Sequence, residues 1–208
     1  MSLKTFVKIS NINNLSDARY CAGMYVNLMG FSLEENNKNF ISPEKFKEIT
    51  DWLSGLEYVA EFEESHPDTI LEIVKEYPAI NYLEIQEEIH LKMLVNSSFG
   101  LILKCKVEDL DTIDDLISKS KSYADFGVTL HLVSDTLELD EAISSKIKEL
   151  AEKCQVLLGF GLDAATIDDV LVSTKVKGIS LEGGDEIKPG LKDFDELADI
   201  LEVLELED

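Results

Sequence analysis

Basic residues are scarce in this chain. Nineteen lysines and arginines face 42 aspartates and glutamates across 208 residues, a net charge of −23. Such a surface repels phosphate backbones and anionic lipid, so neither nucleic acid nor a membrane is expected as a partner. Long apolar runs are missing as well, and none approaches the roughly 18 residues of a membrane span. The start has no basic segment leading into an apolar run, so no signal peptide is expected and the compartment implied is the cytoplasm. Cysteine is rare: Cys21, Cys105 and Cys154 lie far apart, with no CxxC spacing. Any pairing leaves one thiol over, so these read as buried free cysteines rather than disulfides or zinc ligands.

Apolar residues nevertheless make up 45% of the chain, enough for a sizeable core. Short β-branched runs alternate with longer amphipathic ones from end to end. Strands are expected near 5–10, 26–31, 57–62, 80–85, 100–105, 126–133, 155–159 and 176–181. Helices are expected near 15–22, 43–54, 67–76, 87–96, 109–122, 139–153, 163–172 and 193–205. Ser42-Pro43 with Glu44, His66-Pro67 with Asp68, and Asp163 are start signals. Phe46, Ile49, Trp52 and Leu53 share one helical face. Eight strands, each followed by a helix, imply a parallel sheet, and closure gives a small (β/α)8 TIM barrel. An open doubly wound sheet is the alternative topology. No linker, biased tract or longer repeat divides the chain, so residues 1–208 read as one domain.

Strand-end glycines supply the next signal. "QVLLGFGLDAATIDDVL" places Gly159 and Gly161 after the seventh strand, and "SLEGGDE" places Gly183 and Gly184 after the eighth. Gly159, Gly161 and Ala164 satisfy GxGxxA, with Glu182 about 20 residues on, as in a dinucleotide fingerprint. That unit normally opens a nucleotide domain, whereas here a single strand follows. In a barrel the same two loops form the usual phosphate site, because bare N–H groups approach an anion closely. Equally, the glycines can serve only tight βα turns.

Four stretches resemble the phosphoribosylanthranilate isomerase family. "VKISNINNLSDA" is similar to that family's VKICGITxxEDA, and "GFSLEENNKNFISPEKFKEI" to GFxFxxxSxRxISPExAxxI. "LLGFGLDAATIDDVL" is similar to xLAGGLxPxNVxxAI, and "GISLEGGDEIKPGLKD" to xVDVSSGVExxPGxKD. The likeness runs from near residue 6 to residue 200 and is weakest between 105 and 150. It implies a TIM barrel, a small-molecule ligand at the C-terminal barrel face, no cofactor or metal, and a monomer or homodimer. The family's activity is an Amadori rearrangement in tryptophan biosynthesis, with a cysteine thiolate as base and an aspartate as acid.

The departures fall at those chemical positions. Ser10 stands at the cysteine and Asn11 at the glycine after it; Asn is among the few residues that tolerate the left-handed region. His131, in "GVTLHLV", stands at the acid. A serine hydroxyl is a poor base unless another group takes its proton. Among implied substrate-binding positions, Asn39 replaces an arginine, with Lys38 beside it. Glu84-Ile85-Gln86 stands for Gln-Leu-His, and Glu182-Gly183 for Ser-Ser, leaving Gly184 in place. The catalytic positions are thus Ser10 and His131, and the binding positions Asn39, Glu84, Gln86, Gly159, Gly161, Gly183 and Gly184. His66, His90 and Asp135 give no metal-ligand cluster. Glu61, Glu63 and Glu84 read first as solvated strand-end charges, and Cys105, beside Lys104, as a packed thiol.

Three functions fit: a divergent isomerase-like barrel without efficient isomerase activity, a working isomerase with re-sourced acid and base, or a non-catalytic interaction barrel. The first accounts for several mechanistic positions having changed together.

Overall fold

The computed structural model describes residues 2–183, 186–188 and 191–206. Eight strands, β1 (Phe6–Ser10), β2 (Leu28–Ser32), β3 (Glu57–Glu61), β4 (Ile80–Ile85), β5 (Gly100–Lys106), β6 (Thr129–Val133), β7 (Gln155–Leu158) and β8 (Gly178–Glu182), pair in parallel and in sequence order. β1 closes the ring onto β8 over five register pairs, from Phe6 with Gly178 to Ser10 with Glu182. The open-sheet alternative is thereby excluded. After β8, β9 (Glu186–Lys188) and β10 (Leu191–Lys192) form a small antiparallel pair.

The helices are α1 (Leu15–Gly23), α2 (Pro43–Thr50), α3 (Pro67–Ile73), α4 (Leu91–Leu94), α5 (Leu110–Asp125), α6 (Glu141–Ala151), α7 (Ile167–Thr174) and α8 (Asp195–Leu204). Side-chain oxygens or a ring nitrogen cap five of them: Asn14, Ser42, His66, Asp109 and Asp140 each accept a first-turn N–H. Pro43 and Pro67 occupy first-turn positions, where a missing N–H leaves no bond unmade. Among the described residues no helix is long and apolar enough to cross a membrane.

Three local expectations are corrected. The 87–96 helix is a 3-10 turn, Glu88–His90, running into the four-residue α4. α7 starts at Ile167 rather than near 163, because the Asp163 carboxylate instead accepts from the Ala165 and Thr166 N–H groups in a preceding turn. α2 ends at Thr50, so Trp52 leaves the apolar face and is 70% exposed, with the Arg19 guanidinium over its ring.

Two cores result from the period-2 alternation of the strands. Outward-facing residues pack under the helices, where Phe31, Phe46, Tyr58 and Tyr77 meet edge to face. Inside the barrel, Leu28, Val59 and Ile102 with Phe6 and Tyr82 form a separate apolar layer. That layer plugs the N-terminal half of the barrel. Nearer the mouth the inward residues on β1, β3, β4, β5 and β6 are Lys8, Glu61, Glu84, Lys104 and His131, while β2 contributes Gly30.

Candidate functional site

In "FVKIS" the buried residues Val7 and Ile9 belong to the helix-facing core. Alternation turns Lys8 and Ser10 the other way, into the barrel. Lys8 is fully buried. A bare ammonium in such a place loses several kcal/mol of hydration, so it persists only with charged and hydrogen-bonding partners. Two come from other strands of the ring and one from β1 itself. Its Nζ lies 2.5 Å from Glu61 Oε1 on β3, 3.0 Å from Glu84 Oε2 on β4 and 2.5 Å from Ser10 Oγ. Burial alone would push the Lys8 pKa down, but the two carboxylates outweigh it and hold it above the ordinary lysine value. Burial likewise works against the Glu84 carboxylate, yet Lys8, then His131 and Lys104, keep it ionised well below the usual range.

His131 on β6 faces the same interior and places Nδ1 3.0 Å from Glu84 Oε2. Its ring fits because a glycine follows β7: a Cβ at Gly159 would lie 2.7 Å from His131 Nε2 and 3.0 Å from the Leu132 carbonyl. On the opposite side, a Cβ at Gly30 would fall within the Glu61 carboxylate. These two glycines make room for the buried polar groups.

Asn11 leaves β1 with φ 55°, a left-handed turn. The turn aims its backbone N–H at Glu61 Oε2, 3.0 Å away, and its Nδ2 at Glu182 Oε1, 2.6 Å away. Above this floor, a cavity of ≈ 10 Å³, lined by Asn11, Ser32, Asn37, Glu84, Gln86 and Lys104 among others, has space for about one water.

The structure therefore brings together Ser10, Glu84 and His131, with Gly159 against the histidine, and puts Gln86 at the same mouth. Asn39 stands apart: it is buried in the loop after β2, its Oδ1 accepting from Asn13 Nδ2 at 3.4 Å. Lys38 beside it is exposed. Gly161 takes φ 65° and packs against Leu139. Gly183 is half-buried after β8, and Gly184 lies outside the described residues. Glu63 is exposed, its N–H donated to Glu34, which also accepts from Glu64 and Ser65. Reading Glu61 and Glu84 as solvated charges was wrong, because both sit buried beside Lys8.

Sequence reasoning passed over Lys8, although a lysine flanked by Val7 and Ile9 at strand period is its own signal. It also passed over Lys104, whose position on β5 faces the mouth in register with His131. No cysteine supplies a thiolate here: burial pushes Cys21 and Cys105 up to about 12 and Cys154 up to about 11. All three are free thiols, and the Cys105 Sγ donates to the Leu103 carbonyl at 3.5 Å. His66 and His90 stack edge to face near the loop after β3, and among the described residues no group of acids, histidines and cysteines is arranged to hold a metal ion.

No protein-family model matches the chain. It is 22% identical to a phosphoribosylanthranilate isomerase of Sulfurihydrogenibium sp., over 95% of this chain and 98% of the relative. It is 24% identical to one of Chlorobium phaeobacteroides, over 92% and 93%. Among solved structures, the phosphoribosylanthranilate isomerase of Thermotoga maritima superposes with a TM-score of 0.79 at 21% identity, covering 96% of this chain and 98% of that one. A phosphoribosylanthranilate isomerase in complex with reduced 1-(o-carboxyphenylamino)-1-deoxyribulose 5-phosphate superposes with a TM-score of 0.78 at 21% identity and the same coverage. At these identities the likeness to the solved structures establishes the shared barrel fold.

Proposed function

We propose that this barrel of the phosphoribosylanthranilate isomerase family has diverged and no longer performs the Amadori rearrangement efficiently. It binds a different small molecule at the C-terminal face, as a single-domain cytoplasmic protein, monomeric or homodimeric, without metal, cofactor, membrane or nucleic acid.

One observation carries the reading: the Lys8 ammonium sits between Ser10, Glu61 and Glu84. The isomerisation needs a base to remove a carbon-bound proton and an acid to open the sugar ring. Ser10, in the base position, carries a hydroxyl far less acidic than a thiol, and its hydrogen bond comes from the Lys8 ammonium, which is no general base to take its proton. Glu84, the carboxyl nearest His131, is held as the carboxylate and has no proton to donate. A working isomerase that draws its acid from Glu84 is disfavoured on the same ground. At Asn39 the cation that would meet a substrate carboxylate is replaced by a buried amide bonded to Asn13.

Expression of the chain in a tryptophan auxotroph lacking only the isomerase tests the proposal. No growth without tryptophan is expected, despite soluble protein in the cells. Growth comparable to that given by an ordinary isomerase would defeat it.

A further inference from the structure

A larger cavity lies away from the barrel floor, and its charge is one-sided. The chain leaves β2 as "LEENNKNFISP". Between this loop and the end of α3, with the 3-10 turn Val74–Glu76 after it, lies a cavity of ≈ 460 Å³. That volume is in the range of small-molecule sites. It shares no lining residue with the cavity at the mouth. Leu33, Phe40, Ile73 and Tyr77 give it apolar and aromatic walls. Its three charged lining residues, Glu34, Glu35 and Glu76, are all acids.

Glu34 is only 6% exposed. Burial works against its charge, but the Ser65 hydroxyl and the N–H groups of Glu63, Glu64 and Ser65 hold its pKa below the ordinary value. All four donors are neutral, and among the described residues no cation pairs with Glu34. A buried negative charge is thus fixed at the cavity wall without a counter-ion, a costly arrangement that a cation would relieve. Glu35 and Glu76 are exposed, and among the described residues their carboxylates make no ion pair or hydrogen bond. Lysines close in sequence leave them so. Lys75 pairs with Glu72 at 2.6 Å, while Lys38 and Lys45 are exposed and do not line the cavity. Tyr77, whose phenol donates to the Ile41 carbonyl at 2.7 Å, feels the same field: burial, then Glu44, Glu35 and Glu76, push it up to about 12.

We propose that this cavity binds a small organic ammonium, its apolar body against Phe40, Ile73 and Tyr77 and its charged head in the field of Glu34, Glu35 and Glu76. Anions are repelled by three uncompensated carboxylates, and a bare inorganic cation leaves the apolar walls unused. The inference goes beyond the loss of isomerase catalysis and does not depend on it, because the two sites share no residue.

The test is a backbone-amide NMR titration of the full chain with 2-phenylethylammonium chloride. Sodium 3-phenylpropionate and ammonium chloride serve as controls at equal ionic strength. Phenylethylammonium should shift the Glu35, Phe40 and Tyr77 amides in one saturable process and leave the Ser10 and His131 amides unmoved. Neither control should do this, since one carries a similar body with the opposite charge and the other the charge without the body. Glu35→Gln with Glu76→Gln should raise the dissociation constant about fivefold, the combined worth of two exposed charge pairs. Glu152→Gln, at the end of α6 on the far side of the ring, should leave it unchanged. Phe40→Ala should weaken binding about threefold or more at unchanged charge. The idea is overturned if no saturable shift occurs, if ammonium chloride reproduces the shifts, if only mouth amides move, or if the folded double variant binds as tightly as wild type. Ordinary isomerase turnover would remove the reading of the mouth and leave this inference standing.

Discussion

An ammonium enclosed by a barrel wall gives up its water, and at Lys8 two carboxylates and a hydroxyl stand in for it. Lys8→Met would leave Glu61 and Glu84 buried without their common counter-ion. Removing one partner of a buried pair costs about 3–5 kcal/mol, and urea unfolding should show a loss of that order. A loss under about 1 kcal/mol would mean that water reaches these groups. The same network fixes a pH window. Glu84 has a folded pKa below its unfolded value of 4.5, so its contribution is present above 4.5 and is lost as the pH falls further. Lys8 has a folded pKa above 10.5, so its contribution is complete below 10.5 and is lost as the pH rises beyond it. Between these limits the network should add a constant stability. Glu84→Gln should flatten the acid limb of a melting-temperature profile, and an unchanged acid limb would assign acid unfolding to other carboxylates. In the sequence, "VKIS" announces a lysine inside a strand, but its partners stand 53 and 76 positions away, as the numbering of Glu61 and Glu84 shows. Linear spacing is silent about contacts across a barrel, so Glu61 and Glu84 read as solvated until the ring was closed.

At the scale of elements, the period-2 strands and capped helices were legible because each rests on local chemistry. Ser42-Pro43 and His66-Pro67 start helices by satisfying N–H groups within three residues. Boundaries failed where a side chain had two local choices, as at Asp163, which closes a turn rather than capping α7. Trp52 failed because apolar character alone does not extend a helix beyond Thr50. The strand glycines carry a meaning that a linear motif hides. Gly159 reads as part of a phosphate loop, yet its missing Cβ is the space that His131 fills. Gly30 does the same for Glu61. Gly30→Ala should therefore destabilise the barrel by about 1–3 kcal/mol, the usual cost of overpacking. Gly23→Ala, at the end of α1 where an added Cβ meets nothing within 4 Å, should be neutral or stabilise by about 0.4–1 kcal/mol. Thermal melts of the two variants side by side decide this. Equal effects would show that Glu61 swings aside freely and that the network is looser than its distances imply.

For the whole molecule, the barrel and its strand order follow from sequence, and so does the position of the mouth at the ends of β1, β4 and β6. What the mouth does depends on which charges face each other there. Ser10→Cys would place a thiol beside the Lys8 ammonium, which favours the thiolate. His131→Asp would place a carboxyl beside ionised Glu84, which favours its protonated form. Together they should recover part of an isomerase activity, about 10²-fold over the unmodified chain, since each acid–base group contributes about 10²–10⁴-fold. Full recovery is not expected, because Asn39 and Glu182 still misplace the substrate, and misplacement alone costs roughly 10²-fold. The most direct measurement is turnover of phosphoribosylanthranilate by the purified, unmodified chain at neutral pH. The account predicts a rate at least about 10²-fold below the 1–10³ s⁻¹ of ordinary enzymes. Turnover within that range would contradict it, and would mean that a proton leaves the substrate toward a group that the Lys8 network leaves free.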